Sequence, residues 1–319
     1  MARSAPARFG AVITAMVTPF DSEGRLDVDG AVALARWLGD HGSDGLVIAG
    51  TTGEASVLRD SERMELFAAV ASAVTIPVLA GTGTADTAHS IELTQEAERA
   101  GVDGILLVTP YYNRPPQAGL VQHFTAVASA TRLPVILYDI PVRTGRKIAH
   151  ETLVHLARSV SNIVGVKDAA GDVPASARLV AELPDGFELY SGDDKLTLPL
   201  LAVGAVGVVS VASHWAGLEL REMVSAFLDG RYDSARSINA RLTEVVGFQS
   251  SDAYPNPLPA KAACRALGLP VGQCRLPMGP APSELDDQAR KMLAGLARLE
   301  IAAPSGDSAA GAAHGDWSP

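Results

Sequence analysis

The stretch Ile163-Val164-Gly165-Val166-Lys167-Asp168 decides how this chain folds. Its first four residues are apolar or small, which is typical of a strand buried on both faces in a parallel sheet. Lys167 follows at the carboxyl end, where its stem can stay among apolar neighbours while its amine faces a cleft. Because burial disfavours the ammonium form, the pKa of such a lysine falls and the amine becomes a nucleophile. For a lysine taken alone, the commoner alternative is a strand-end side chain that extends to solvent.

Seven more apolar runs recur along the chain and predict further strands: Ala11–Val17, Gly45–Ala49, Ile76–Ala80, Gly104–Val108, Pro134–Leu137, Phe187–Tyr190 and Val206–Val211. Between them lie segments with helical periodicity, among them Val28–Leu38, Ser61–Ala73, Thr87–Ala100, Leu120–Ala130 and His150–Arg158. Eight strands that alternate with helices predict an α/β fold, a parallel (β/α)₈ TIM barrel. An open doubly wound sheet is the alternative, but no G-x-G-x-x-G fingerprint follows the first strand.

The chain beyond the eighth strand predicts a small C-terminal helical appendage, with helical patterns over Leu218–Leu228, Ser234–Val246, Pro259–Leu267 and Leu285–Leu299. One helix completes a barrel, so the others should pack on it. We therefore predict an N-terminal extension over residues 1–9, the barrel over 10–225 and the helical region over 226–303. Residues 304–319 are rich in Ala, Gly, Ser and Pro, which predicts a disordered tail.

Composition excludes several classes of function. The 319 residues carry a net charge of −10, which argues against nucleic acid and anionic membranes as partners. No run approaches the roughly 18 apolar residues of a membrane span, and the N-terminus lacks a signal-peptide core, so we expect a cytoplasmic protein. We expect Cys264 and Cys274 to be reduced, structural thiols, because two cysteines are too few for a disulfide framework. The spacing of the histidines predicts no metal site.

The active site of such a barrel lies at the carboxyl ends of its strands. Lys167 ends the sixth predicted strand, and its amine could condense with a carbonyl to a Schiff base, which makes a proton on the neighbouring carbon acidic. Tyr138 ends the fifth strand and could relay protons if Thr51 and Tyr112 orient it. A rim tyrosine with a solvated hydroxyl is the alternative for Tyr138.

Two features predict recognition of carboxylates. The turn Gly50-Thr51-Thr52-Gly53 can form an anion cradle from its amides and hydroxyls, although a simple tight turn capped by threonine is the alternative. Arg143 offers a planar fork for a carboxylate, or else a surface charge. Asp193 and Asp194 would repel phosphate, so we expect substrates that carry carboxylates and no phosphate.

Six motifs then appear in order at the predicted strand ends: Thr18-Pro19-Phe20, Gly50-Thr51-Thr52-Gly53-Glu54, Tyr111-Tyr112, Tyr138-x-x-Pro141-x-Arg143-Thr144-Gly145, Gly165-Val166-Lys167-Asp168 and Ser191-Gly192-Asp193-Asp194. With Asn256-Pro257, this set resembles the pyruvate-dependent class I aldolases of the dihydrodipicolinate synthase and N-acetylneuraminate lyase family over about residues 10–300. Within that family the synthases are the most similar branch.

The resemblance implies a role for each matching residue. Lys167 would form the Schiff base with pyruvate, whose carboxylate would lie on Thr51 and Thr52. Tyr138, Thr51 and Tyr112 would relay protons, and Arg143 would bind the second substrate. Gly192 and Val209 are further substrate-binding positions. The resemblance implies no cofactor or metal, and a homotetramer built as a dimer of dimers, with Tyr112 reaching in from a neighbouring subunit.

The reaction that the resemblance implies is condensation of pyruvate with L-aspartate 4-semialdehyde to 4-hydroxy-tetrahydrodipicolinate, in lysine and diaminopimelate biosynthesis. The alternatives are N-acetylneuraminate lyase, a 2-keto-3-deoxy sugar acid aldolase, a paralogue recruited to a side pathway, or a non-catalytic keto-acid sensor. The Thr51-Thr52 pair, where the lyase usually has Ser-Thr, and the placement of Arg143 favour the synthase. An intact Lys167 argues against the sensor.

The chain departs from the family pattern in two places. Synthases inhibited by lysine bind it with histidine, asparagine and glutamate side chains, and the matching positions here are Asp60, Arg63, Ala85 and His89. We therefore expect weak or absent inhibition by lysine. In addition, Asp139 and Asp168 stand where many synthases have asparagine and glutamate.

Overall fold

The computed structural model, which describes residues 7–302, contains a closed barrel of eight parallel strands in which β1 pairs with both β2 and β8. The strands are β1 Val12–Ala15, β2 Gly45–Ile48, β3 Val78–Gly81, β4 Gly104–Val108, β5 Val135–Asp139, β6 Ile163–Asp168, β7 Glu188–Ser191 and β8 Gly207–Ser210. The α/β class and the TIM barrel predicted from the apolar runs are therefore confirmed.

Helices surround the barrel and continue beyond it. They are α1 Val28–Asp40, α2 Asp60–Ala73, α3 Thr87–Arg99, α4 Gln117–Ala128, α5 Pro141–Thr144, α6 His150–Ser159, α7 Val173–Glu182, α8 Thr197–Ala202, α9 Ser213–Leu228, α10 Tyr232–Gly247, α11 Leu258–Ala266 and α12 Ser283–Ala302. Short 3₁₀ turns cover Ala55–Val57 and Asp194–Leu196.

The observed elements differ from the predicted ones mainly at their ends. Strand β6 runs two residues past Val166 and includes Lys167, since its pairing with β5 and β7 continues that far. Helix α7, which the sequence analysis did not assign, begins after Asp172, whose carboxylate accepts the Ala175 amide. An acidic N-cap followed by a proline in the first turn was the available signal for this helix.

Strand residues alternate between two apolar surroundings, which explains why the strands are almost wholly apolar. Residues such as Leu137 and Val166 point outward into the layer between barrel and helices, whereas Ile136 and Val209 point into the barrel interior. Phe9 closes the interior at the amino end of the strands. A side chain at Gly104 would place its Cβ 2.7 Å from the Phe9 ring, so only glycine fits there.

Beyond the barrel, α10 packs against α9, and α11 packs against α12. The predicted helical appendage is thus present, although α9 spans the boundary that we predicted at residue 225. The division into 1–9, 10–225 and 226–303 stays a prediction, and the predicted tail over 304–319 lies outside the described residues. No helix within residues 7–302 is long and apolar enough to cross a membrane. Cys264 and Cys274 are buried free thiols.

Candidate active site

Lys167 and Tyr138 lie side by side at the carboxyl end of the barrel interior. They are paired in the β5–β6 register, so both side chains point inward at the same level. The Lys167 Nζ atom lies 4.2 Å from the centre of the Tyr138 ring. Each residue is only 5% exposed, so neither is the solvated strand-end residue that was the alternative for it.

Burial lowers the pKa of Lys167 to about 8, and the positive charge of Arg143 lowers it further, while Asp194 opposes both effects. At neutral pH roughly a tenth of the amine is therefore uncharged, far more than for a solvated lysine. The amine is thus available as a nucleophile without a separate base to deprotonate it fully.

Asp194 is the ionisable partner of Lys167 that the sequence analysis missed. This buried carboxylate accepts hydrogen bonds from the Ser210 hydroxyl and from the Val211 and Ala212 amides, and burial raises its pKa. Its place directly after a strand end was the available signal, but we read the Asp193-Asp194 pair only as a barrier to phosphate. Asp194 instead keeps the Lys167 pKa from falling further.

The Tyr138 side chain is hydrogen-bonded to the side chain of Thr51. Burial raises the pKa of Tyr138 to about 12, while Arg143 and a hydrogen bond with the Thr51 side chain act to lower it. The phenol is therefore protonated at neutral pH. A protonated phenol can donate a proton and must take one back before it donates again, so this group is chemically suited to a relay and not to the role of a free base, and the relay stays a prediction.

The turn Gly50–Gly53 brings Thr51 and Thr52 to the same end of the barrel. The Thr18 hydroxyl donates to the Gly53 carbonyl at 2.6 Å, and the amides of Glu54 and Ala55 donate back across the turn. Within the described part of the chain, the Thr51 and Thr52 amides donate to no backbone carbonyl. Both N–H groups therefore remain available to an anion.

Arg143 projects from a helix of a single turn. Pro141 begins α5, and Gly145, with φ of +70°, ends it in the left-handed conformation, which accounts for the Pro-x-Arg-Thr-Gly pattern. The guanidinium is exposed at the barrel mouth, where Arg143 Nη2 donates to the Asn256 carbonyl at 3.3 Å.

Tyr112 lies at the same mouth but does not join the other relay residues within one chain. It is 95% exposed, has a φ of +71°, and makes no side-chain hydrogen bond within residues 7–302. The predicted role of Tyr112 therefore depends on a neighbouring subunit and stays a prediction.

A cavity of about 390 Å³ opens at the carboxyl ends of the strands and is lined by Thr51, Tyr112, Tyr138 and Arg143. Leu106, Val108 and Ile140 give it apolar walls. Four predicted site residues are thus brought together, with Lys167 against the Tyr138 ring. Among the described residues, no group of three or more His, Cys, Asp or Glu side chains is placed to hold a metal ion.

Lys167, Gly192, Val209 and Thr52 lie outside the lining of this cavity. A Cβ at Gly192 would lie 2.7 Å from that of Ala169, so the residue allows β6 and β7 to approach closely beside Lys167. Val209 is buried in the barrel interior, and Thr52 is 3% exposed. Their predicted contacts with substrate stay predictions.

Comparison with known proteins agrees with this geometry. A sequence model of the dihydrodipicolinate synthetase family matches residues 8–296. The chain belongs to that family. The 4-hydroxy-tetrahydrodipicolinate synthase of Moorella thermoacetica is 50% identical over 279 residues, which are 87% of this chain and 94% of that protein. The enzyme of the same name from Acidothermus cellulolyticus is 51% identical over 300 residues, 93% of this chain and 96% of its own length.

A solved structure shows the same fold. The dihydrodipicolinate synthase of Cyanidioschyzon merolae, crystallised with lysine bound, superposes with a TM-score of 0.88 at 44% sequence identity, and the match covers 91% of this chain and 99% of that chain. This relative therefore shares the fold of our chain over nearly its whole length.

The side chains at the four positions matched to lysine inhibition are engaged differently from one another here. His89 Nε2 lies 3.0 Å from Asp60 Oδ2, so these two side chains pair with each other. Arg63 is buried and donates to the Ala55 carbonyl at 2.6 Å. Ala85 offers no polar side chain. The expectation of weak lysine inhibition stays a prediction.

The carboxyl group of Asp139, the residue next to Tyr138, should make the stability of the folded protein depend on pH. Burial raises its pKa to about 6, although the Ile148 amide and Lys147 favour the carboxylate. A raised acid pKa means that the folded state holds the proton more tightly than the unfolded state, so stability falls as pH rises from about 4 to 6. The shift of about two pH units corresponds to about 3 kcal/mol.

Asp139→Asn is therefore expected to match the wild type in stability near pH 4 and to exceed it by up to about 3 kcal/mol above pH 7. The neutral amide keeps an oxygen for the Ile148 amide and carries no buried charge. Chemical denaturation of both proteins at several pH values measures the difference. Parallel stability curves for the two proteins would show that Asp139 does not titrate in this window.

Proposed function

We propose that the chain is a lyase that condenses pyruvate with L-aspartate 4-semialdehyde to 4-hydroxy-tetrahydrodipicolinate, in lysine and diaminopimelate biosynthesis. The observation that carries the proposal is the buried Lys167 amine, with its lowered pKa, against the ring of Tyr138, which is in turn hydrogen-bonded to Thr51. The relatives of about 50% identity that bear this enzyme's name support the choice of substrates.

In the first half of the reaction, the uncharged Lys167 amine attacks the keto carbon of pyruvate. Tyr138 donates its proton to the oxygen that leaves as water, and Thr51 supplies Tyr138 with a replacement. The resulting iminium withdraws electrons, so the pyruvate methyl group loses a proton, which returns through Tyr138 to Thr51, and the methyl carbon becomes the nucleophilic carbon of an enamine. The pyruvate carboxylate lies on the Thr51 and Thr52 amides.

In the second half, the enamine carbon attacks the aldehyde of the semialdehyde, and the new alkoxide takes a proton through Tyr138. The amino group of the semialdehyde then attacks the iminium carbon. This attack closes the ring. A proton then moves from the new ring nitrogen to the Lys167 nitrogen, the bond from that carbon to Lys167 breaks, and the free amine is restored. The ring nitrogen loses its remaining proton, which replaces the one that the alkoxide took through Tyr138. One molecule of water is released for each pair of substrates, and no electrons are gained or lost.

Arg143 is the group at the mouth that fits the carboxylate of the second substrate. Its guanidinium is exposed and lies on the cavity wall, and Arg143 contributes to the lowered Lys167 pKa, so its charge is felt at the nucleophile. A planar guanidinium binds a carboxylate through two parallel hydrogen bonds. Sugar aldehydes offer no such carboxylate next to the reacting aldehyde.

Arg143→Ala is expected to raise the KM for L-aspartate 4-semialdehyde by about 10- to 100-fold, since a charged hydrogen bond contributes about 1.5–3 kcal/mol. Pyruvate should still form its adduct at Lys167. Initial rates with the semialdehyde, N-acetylmannosamine and a sugar aldehyde test the proposed function and this role together.

Arg132→Ala is the matched control, because this exposed arginine follows α4 at the opposite end of the barrel and pairs with Glu98. It should leave the KM for the semialdehyde and the KM for pyruvate unchanged. Faster turnover of a sugar aldehyde than of the semialdehyde would overturn the proposed function. Loss of the pyruvate adduct in Arg143→Ala would show that Arg143 serves the pyruvate site instead.

We further propose that the enzyme works in the cytoplasm as a homotetramer. Tyr112 and Val142 are 95% and 86% exposed at the same mouth, and such apolar side chains are candidates for burial against a second copy of the chain. Contact between copies would also place Tyr112 near a neighbouring relay. The buried free thiols of Cys264 and Cys274 fit a reducing compartment.

A further inference from the structure

One residue of the C-terminal region touches both predicted carboxylate-binding elements. Asn256 Nδ2 donates to Thr52 Oγ1 at 2.9 Å, and the backbone carbonyl of Asn256 accepts a hydrogen bond from Arg143 Nη2 at 3.3 Å. Asn256 is buried and lies outside the cavity lining. It therefore acts on the site through Thr52 and Arg143.

The segment that carries Asn256 is anchored to the same turn at a second point. Helix α11 begins just after Asn256 and carries Lys261, whose Nζ lies 2.7 Å from Glu54 Oε1, and both side chains are buried. Glu54 also accepts the Arg275 amide at 2.9 Å. Because Glu54 follows the Gly50–Gly53 turn directly, the turn and the C-terminal region are held together as one unit.

The hydrogen bond from Asn256 decides which way the Thr52 hydroxyl points. Since the amide donates to Thr52 Oγ1, the hydroxyl proton must turn away from Asn256 and is left free to donate to an anion. The Asn256 carbonyl meanwhile restrains one end of the Arg143 guanidinium. An exposed arginine without such a restraint would lose more side-chain entropy on binding a carboxylate.

We propose that Asn256 is a positioning residue that prepares the two carboxylate sites together, with the Thr52 hydroxyl for pyruvate and Arg143 for the second substrate. This inference rests on the proposed function, because it needs two carboxylate substrates that bind in turn. It assigns the C-terminal region a part in substrate binding, in addition to its packing against the barrel.

Asn256→Ala is the first test. It is expected to raise the pyruvate concentration at half-maximal borohydride trapping by about three- to tenfold, which is the range for one neutral hydrogen bond. The KM for the semialdehyde and the value of kcat should both change less, because alanine keeps the backbone carbonyl that Arg143 contacts. In a Thr52→Val background, Asn256→Ala should leave pyruvate half-saturation unchanged, since it acts there through Thr52.

Asn256→Asp is the second variant. Its carboxylate has the same shape but would accept the Thr52 hydroxyl proton instead of donating to its oxygen, so pyruvate binding should weaken more than in Asn256→Ala. Asn162→Ala is the control, because Asn162 Nδ2 donates to the carbonyls of Ala128, Thr131 and Leu133 at the opposite end of the barrel. It should lower stability and leave both constants unchanged.

The outcomes separate the inference from the function on which it rests. If the pyruvate concentration at half-maximal trapping is unchanged in both Asn256 variants while the wild type traps pyruvate normally, the inference is overturned and the proposed function is not. If Asn256→Ala weakens pyruvate binding equally in the wild-type and the Thr52→Val backgrounds, the inference is also overturned, because the effect is then a general structural one. If the wild type forms no pyruvate adduct, the proposed function fails and the inference fails with it.

Discussion

Replacing Lys167 by arginine is expected to lower turnover by at least about three orders of magnitude, since removal of a catalytic nucleophile typically has an effect of that size or larger. Arginine keeps a cation near Asp194 and the Tyr138 ring, but a guanidinium stays protonated and cannot condense with a ketone. The variant therefore separates the chemistry of the amine from its charge. Borohydride treatment in the presence of pyruvate, followed by peptide mass spectrometry, measures the adduct directly.

In the wild type, the pyruvate adduct should form at Lys167 and at no other lysine. The rate of adduct formation should rise with pH and level off above about pH 8, where the amine has lost its proton. Lys195→Arg is the control, because Lys195 is exposed beside Asp194 and should behave as the wild type does. Circular dichroism of Lys167→Ala, which removes the bulk as well as the amine, tests whether the fold survives. An adduct in either Lys167 variant would contradict the assignment.

The part of this site that lies at strand ends could be predicted from the sequence. Once eight apolar runs alternate with helices, the barrel fixes which residues meet at its carboxyl end, and Lys167, Tyr138 and the Thr51 turn follow from that rule. The strand registers then supply the detail that sequence reasoning lacked. The pairing of Tyr138 with Lys167 places the amine over the ring.

The contacts that depend on packing could not be predicted in this way. Asn256 meets Thr52 from a position 204 residues further along the chain, and only the way α11 packs on the barrel brings them together. The carboxylate of Asp194 lies near Lys167 because Asp194–Leu196 form a 3₁₀ turn after β7. For Tyr112, the missing information is a second chain, since its side chain is exposed in one copy.

The second large effect is expected at Tyr138. Tyr138→Phe removes the hydroxyl but keeps the ring beneath the Lys167 amine, so the position and pKa of the nucleophile should change little. The loss of a positioned proton-transfer group lowers turnover by about 10² to 10⁴. Pyruvate should still be trapped at Lys167, but more slowly, because the water that leaves the first adduct no longer takes its proton from Tyr138.

Stopped-flow trapping and steady-state kcat together separate this chemical effect from a structural one. Tyr190→Phe is the matched control, since Tyr190 pairs with Lys167 in the β6–β7 register but its buried hydroxyl donates at 2.9 Å to Glu188, the first residue of β7. That variant should lose stability and keep its turnover. Thr51→Val should reproduce part of the Tyr138→Phe defect, because it removes the partner that orients the phenol, and a double variant should be no slower than Tyr138→Phe alone. If Tyr138→Phe retained turnover within about threefold, solvent would have to carry these protons, and the hydrogen bond between Thr51 and Tyr138 would have only a structural role.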